Sequence, residues 1–426
     1  MTTKHVIDGL NPSKGSFYPN DALELSEILK KYHNEDPVMV PVGGATRLQV
    51  GALLPRYDYA LDLSKMNGIV THNAADLTCI VQSGITLGHL QNILKEHGQF
   101  LAIDTPLPET ATVGGTLASN APGYLRWQLA HMRDVVIGMQ VILASGTITK
   151  SGGAVVKNVS GYDMARLHIG GYGTLGIISE VSFKLTPLPR REGAVVVGCG
   201  SINEVSNFSE KVYDSHVMPL SLVGINSSMA KNLDIDVRGS KYLAMVRLGG
   251  RDKAYDRQIR ITREIYDNLE STFFEVIEGD ICGSVWAKVR DFTGYELPSA
   301  VSGRIFSTPS RLKNLAIELI KYLENIDAEV SIVVQPGFGT MEFHLNQLSG
   351  FREEESFGMM GEINMIVKNN DSYINYEDLP SNLKRGFNMW GHINDGSQTI
   401  MTSLRETYDP TRILNRGRYI ADMDIS

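Results

Sequence analysis

The chain has 426 residues, 42% hydrophobic and 21% charged, and its 40 Lys and Arg against 48 Asp and Glu leave a formal net charge of −8. This length supports two or three domains, and the composition excludes a disordered or collagen-like chain; no apolar run reaches the roughly 20 residues of a membrane-spanning helix. The acidic balance gives nucleic acid no footing, because binding phosphates needs a basic patch.

In chain order, the opening Met1-Thr-Thr-Lys-His-Val-Ile-Asp-Gly lacks the apolar stretch of a secretion signal, so a cytoplasmic location is expected. A helix is predicted over Asp21–Lys31 and a strand over Pro37–Val42, then a strand over Leu77–Gln82. A second helix is predicted over Thr86–His97, where Leu87, Leu90, Ile93 and Leu94 share one face. Thr86 is its expected N-cap and Gly98 its stop. Strands follow over Val135–Leu143 and Gly176–Leu185, the latter alternating apolar and polar residues. Helices and strands mix without a strict βαβ rhythm, which indicates an α+β fold. The run Thr186-Pro-Leu-Pro-Arg190 reads as a hinge between a domain over 1–190 and one over 191–400, with a closing segment over 401–426.

Beyond the hinge the expected strands are Ala194–Cys199, Leu220–Ile225, Tyr242–Leu248, Val301–Phe306, Val330–Gln335 and Thr340–Leu345. Helices are expected near Asn203–Asp214, Lys253–Asn268 and Arg311–Asn325, the last capped by Ser310. Together they predict an antiparallel sheet backed by helices. The three cysteines, Cys79, Cys199 and Cys282, form no CxxC pair, so neither an iron–sulfur cluster nor a structural zinc site is expected.

Three glycine-rich stretches carry the chemistry of the first domain: Pro41-Val-Gly-Gly-Ala-Thr-Arg47, Thr112-Val-Gly-Gly-Thr-Leu-Ala-Ser-Asn120 and Gly170-Gly-Tyr-Gly-Thr-Leu-Gly-Ile177. Read as loops, they let backbone N–H groups converge on pyrophosphate oxygens. The third contains the GxGxxG spacing at Gly171, Gly173 and Gly176 but runs into a strand pattern, which excludes a Rossmann dinucleotide site. A GxxxxGK[ST] phosphate loop is absent, against phosphoryl transfer.

These stretches, with Arg133-Asp134, Gly152–Asp163 and the closing Tyr408-Asp-Pro-Thr-Arg-Ile-Leu-Asn-Arg-Gly-Arg418, resemble the FAD-binding domain of the vanillyl-alcohol oxidase/p-cresol methylhydroxylase superfamily. Within it, the similarity is to the smaller flavin subunit of bacterial glycolate oxidase complexes. The resemblance implies a two-subdomain FAD-binding domain, a C-terminal cap domain of antiparallel sheet plus helices, and a closing segment that returns to the FAD-binding domain. It places Val42, Gly43, Gly44, Ala45 and Thr46 around the pyrophosphate, and Thr112, Gly114, Gly115, Ser119 and Asn120 along the phosphates towards the flavin. Gly173, Thr174, Gly176 and Ile177 would line the adenosine end, and Asn158 and Tyr162 fall in the family's segment near the flavin. Some relatives tether FAD through a histidine in the first loop; Ala45 and Thr46 stand there, so non-covalent FAD is expected. The chain departs from the family at Ala130, in place of a usual Gly, and at Arg416, in place of a usual Pro.

Oxidising a 2-hydroxy acid needs a base for the hydroxyl proton, a hydride acceptor and a cation for the carboxylate. Related dehydrogenases carry a HAGDGNLH-like motif whose histidines bind a divalent metal; the matching stretch here is Gln335-Pro-Gly-Phe-Gly-Thr-Met-Glu342, so no metal site is expected. His344 and His392 are candidate bases but read more readily as a sheet residue and a loop residue, and the catalytic base is left unassigned. Arg247, Arg290 and Arg304 are candidate carboxylate clamps, each with an ion pair as its commoner fate. Trp127, Trp286 and Trp390 read as core or interface anchors.

The expectation is an FAD-binding oxidoreductase subunit that acts on the CH-OH group of glycolate or another small 2-hydroxy acid. Its expected partners are a larger flavin subunit and an iron–sulfur subunit, with attachment to the inner membrane face only through them. The alternatives are a self-sufficient D-lactate or D-2-hydroxy acid dehydrogenase and a non-catalytic structural subunit.

Overall fold

The computed structural model describes residues 5–121, 123–125, 131–153, 162–269, 271–292, 301–326, 329–345 and 352–419. Trp127, Ala130, Asn158 and most of the Gly152–Asp163 stretch lie outside them. The chain divides into two compact units: one of Met1–Gly123, Ala130–Leu188 and Asn394–Ser426, the other of Tyr124–Leu129 and Pro189–Ile393.

The first unit is built on two larger sheets, with a two-stranded ladder of Gln99–Phe100 and Thr186–Pro187 beside them. Strands Gly15–Phe17, Tyr59–Asp62 and Met39–Val42 form a parallel sheet with Tyr59–Asp62 in the middle. Ile69–Asn73, Thr78–Gln82, Ile177–Lys184, Val136–Ile142 and Ile148–Gly152 form an antiparallel one, in that spatial order. The helix Ala22–Tyr32 starts where the Asp21 carboxylate accepts from the N–H groups of Leu23 and Glu24, both at 2.9 Å. Its Leu25 and Leu29, both fully buried, pack with Met39, Leu61, Ile142 and Ile177 and so join the two sheets. Each such leucine contributes about 1.5–3 kcal/mol. The helix Leu87–Glu96 is capped by Thr86 and stops before Gly98, at φ +67°.

The stretch Thr112–Asn120, expected as a loop, is instead a capped short helix. Thr112 Oγ1 accepts from Gly115 N at 3.3 Å, Val113–Ser119 are helical, and Asn120 closes the helix in the left-handed region. Small residues let this helix lie directly on Ser83, and that packing outweighs the poor helix propensity of two glycines.

The second unit is one eight-stranded antiparallel sheet in the order Phe274–Glu278, Arg191–Cys199, Tyr242–Gly250, Ser221–Asn226, Val330–Gln335, Thr340–Leu345, Val301–Phe306, Tyr373–Asp378. Helices Asp252–Tyr266, Ile202–Tyr213, Pro309–Leu323 and Glu353–Asn369 follow one another across it. The helix expected from Arg311 begins at Pro309, with Thr308 and not Ser310 as N-cap; proline at the first helical position lacks only a donor that would be unpaired there anyway. The helix Gly279–Asp291 places Cys282, Trp286 and Val289 against Val196, Val223 and Met245. Among the described residues no helix is long and apolar enough to cross a membrane.

Candidate functional site

A cleft in the first unit collects the glycine-rich segments. Its walls are Gly43, Gly44, Ala45 and Thr46 after the strand Met39–Val42, and Thr112, Gly115 and Ser119 on the short helix. Val40, Pro41, Leu48, Val50, Ala118, Tyr172, Asn415 and Arg418 also line it. Arg47 and Arg418 are among the lining side chains, and none of those lining residues is acidic. Such a lining suits a diphosphate.

The cleft is narrow at its base because two backbones meet. A Cβ on Gly44 would lie 1.8 Å from the Thr110 carbonyl oxygen, and one on Gly43 would lie 2.1 Å from Thr112 Oγ1. The wall is also strained: Ala45, Tyr172 and Asn415 have φ of +62°, +51° and +48°, and Asn120 beside them has +44°. For side chains other than glycine each such residue costs about 1–2 kcal/mol, and strain of this kind concentrates at ligand sites.

Of the other residues expected at the cofactor, Val42 is fully buried in the sheet and Gly114 sits against Ser83 behind the cleft wall. Gly173 faces Pro41 and Asn415. Thr174 is buried and donates from Oγ1 to the Gly171 carbonyl at 2.6 Å, shaping the turn. Gly176, at φ +153°, lies against Val141, and Ile177 opens its strand as a core residue. Tyr162 is 92% exposed. Sequence reasoning missed Leu48, Val50, Tyr172, Asn415 and Arg418. Tyr172 lies inside the third glycine stretch, and Asn415 and Arg418 inside the closing stretch Tyr408–Arg418, but no individual role was assigned to them; Leu48 and Val50 had no signal.

The closing segment forms one side of the cleft. Asn415 N donates to Met39 O at 3.0 Å and Met39 N to Ile413 O at 2.8 Å. The Arg418 guanidinium donates to the carbonyls of Leu48 and Val50. Arg416, in place of the family's usual proline, pairs with Asp36 and donates from Nη2 to the Thr411 carbonyl at 2.8 Å, so the turn is held by side-chain bonds. Arg405, 1% exposed, pairs with the fully buried Asp409 at 2.8 Å and donates to the carbonyls of Thr174 and Leu414.

His168, just before the third glycine stretch, is buried, and burial lowers its pKa from 6.5 to about 4. The folded chain therefore binds fewer protons than the unfolded one between those values. The contribution is full above pH 6.5 and is lost, by about 3 kcal/mol, as the pH falls towards 4. We expect His168→Phe to lose less thermal stability than the parent on acidification through that window. Equal losses in calorimetric scans would show that His168 is not held neutral.

In the second unit the candidates converge on one polar sheet face. The pairing register sets Arg304 opposite Glu342, Ser302 opposite His344 and Gln335 opposite Thr340. Arg304 Nε lies 3.0 Å from Glu342 and 3.3 Å from Glu377; Arg304 and Glu342 are buried and the Glu377 side chain is 10% exposed. Burial opposes its charge, but the two carboxylates keep the guanidinium protonated. Tyr124 donates to Glu342 Oε2 at 3.0 Å; burial, then the Glu342 charge, hold its phenol protonated. His344 is buried edge-on against Phe292, with ring centroids 4.6 Å apart, and His392 is exposed. Arg247 pairs with Glu192 and Arg290 with Asp291. Burial pushes the thiols of Cys79 and Cys199 up to about 12 and that of Cys282 to about 11, so they are core residues. Trp286 and Trp390 are buried as well.

A family profile described as an FAD binding domain matches residues 13–152. The chain is 31% identical over 420 residues to a D-lactate dehydrogenase of Anaerostipes hadrus, covering 93% of this chain and 87% of that protein. It is 30% identical over 204 residues to glycolate oxidase subunit GlcD of Bacillus subtilis, covering 48% of this chain and 43% of GlcD. It spans less than half the length of several curated relatives, GlcD among them. The crystal structure of p-cresol methylhydroxylase with substrate bound superposes with a TM-score of 0.74 at 14% identity, over 99% of this chain and 92% of that one.

The chain belongs to the family of FAD-binding oxidoreductases with the p-cresol methylhydroxylase-type fold, and its cofactor is FAD. The residues present fit that cofactor: the cleft offers glycine backbone and arginines for the diphosphate, apolar walls for a ring, and at Asn415 a buried oxygen acceptor without a partner. The first loop offers Ala45 and Thr46, neither of which has a side chain suited to a covalent flavin link.

Proposed function

We propose that this chain is the FAD-carrying subunit of an assembly that oxidises glycolate or a similar 2-hydroxy acid, with electrons passing to partner subunits. When bound, FAD supplies a two-electron acceptor for the hydride of the carbinol carbon. The first unit would hold it through the 43–46 backbone, the short helix and the closing segment, which line the cleft.

The observation that carries the partner-dependent reading is the state of Arg304. A substrate carboxylate needs an uncommitted cation, whereas Arg304 is shared between two internal carboxylates and Arg247 and Arg290 are also paired. Glu342 and Gln335, at the positions where related dehydrogenases carry histidines, are buried and engaged within this network. Substrate oxidation then falls to a larger flavin subunit. Onward transfer falls to an iron–sulfur subunit, since three buried cysteines far apart in the sequence are too few for the four thiolates of a cluster.

A second reading, a self-sufficient D-lactate dehydrogenase, is favoured by the match along 87% of the Anaerostipes hadrus protein. One experiment separates them: the visible spectrum of the purified chain, followed by anaerobic addition of glycolate and then D-lactate. A flavin that stays oxidised until partner subunits are added supports the proposal. Bleaching of the isolated chain by either acid overturns it in favour of the second reading. A chain that takes up no FAD removes both and leaves a structural subunit.

A further inference from the structure

Asn415 is the residue of the cleft whose chemistry is incomplete. It is 8% exposed and lines the cleft. Its Nδ2 donates to the Tyr172 carbonyl. A carbonyl can only accept, so this bond fixes the amide's orientation and leaves Oδ1 buried without a partner. A buried acceptor left unpaired costs more than a typical hydrogen bond returns. At Asn415 it coincides with a backbone held at φ +48°, two unfavourable features at one residue of the wall.

The two ends of the cleft differ in kind. Thr112, Gly115 and Ser119 offer hydroxyls and glycine backbone, while at a second end Asn415 bonds to Tyr172 and lies with Pro41 against Gly173. That second end suits a flat ring carrying a hydrogen-bond donor. FAD has two flat ends with donors, adenine with its exocyclic amine and the flavin ring with its N3–H. The flavin ring has to stay open to its reductant, whereas Asn415 and the lining residues Val40, Val50 and Arg418 are only 8%, 1%, 3% and 5% exposed.

We propose that Asn415 Oδ1 accepts a hydrogen bond from the exocyclic amine of the FAD adenine, making it the residue by which the closing segment recognises the adenosine half. The inference rests on FAD occupying this cleft.

The test is calorimetric titration of the flavin-stripped full chain with ADP, with purine riboside 5′-diphosphate, which lacks only the amine, and with FMN. The parent is expected to bind ADP about tenfold more tightly than the purine analogue. Asn415→Gly keeps the left-handed backbone accessible and removes the acceptor; it is expected to bind both nucleotides alike, with FMN binding unchanged. Because the parent's own discrimination needs no variant, misfolding of a variant cannot mask the answer. A parent indifferent to the amine, an Asn415→Gly chain that keeps the preference, or a variant whose defect appears with FMN and not ADP overturns the proposal. A parent that binds neither ADP nor FAD overturns the cofactor reading itself.

Discussion

Gly44→Ala is expected to purify without flavin and to bind added FAD about a hundredfold more weakly than the parent. The added Cβ would stand 1.8 Å from the Thr110 carbonyl oxygen and 2.6 Å from its carbon. Both obstacles are backbone, so no rotamer change relieves them, and the 43–46 segment must move away from the segment that leads into the short helix. Overpacking of this kind costs about 3 kcal/mol at the upper end, which is about a factor of a hundred in affinity. Gly358→Ala, in the helix Glu353–Asn369 where an added Cβ meets nothing within 4 Å, is the control; it should bind FAD normally and gain slightly in stability. Flavin fluorescence quenching on titration measures both. Parent-like affinity in Gly44→Ala would mean that the contact between the two segments does not shape the cleft.

Arg405→Met is expected to lower the melting temperature by roughly 10 °C and to weaken FAD binding without touching the cleft. Asp409 is fully buried, and its carboxylate accepts from Arg405, from Leu414 N at 2.9 Å and from Ile413 N at 3.1 Å. Removing the guanidinium leaves that charge uncompensated, at a cost of about 3–5 kcal/mol, and about 2–4 °C per kcal/mol applies to a unit of this size. It also releases the Thr174 carbonyl that Arg405 holds. Differential scanning calorimetry with and without FAD checks this; a melting temperature within about 2 °C of the parent would show that the segment is held by its other contacts.

What was legible in the sequence was local. The helix from Leu87 and the strand from Ile177 follow from periodicity and from one capping residue, Thr86. The GxGxxG stretch does run into a strand, as its alternation implied. The Thr112–Asn120 segment was misread because two glycines and no apolar period look like a loop, while contact with Ser83, distant in sequence, makes it a helix. The helix Glu353–Asn369 escaped notice because Gly358 and Gly361 interrupt its pattern, although Met359, Met360, Ile363 and Val367 are buried. The site divides in the same way. Gly43, Gly44, Thr112 and Gly115 announce themselves by composition. Asn415 meets Tyr172 across 243 positions, and Arg304 meets Glu342 and Glu377 only through strand register. No short-range pattern encodes such meetings.

The link between Arg418 and the carbonyls of Leu48 and Val50 spans 370 and 368 positions, which has a consequence during synthesis. Ribosomes deliver the chain from its amino end, and contiguous units fold as they emerge. The second unit, Tyr124–Leu129 with Pro189–Ile393, has all its residues before the closing segment is made. The first unit has to wait, its cleft lacking one wall until Asn415 and Arg418 arrive. Flavin capture therefore follows synthesis of the closing segment, and a bound flavin reports that the ribosome has read through to it.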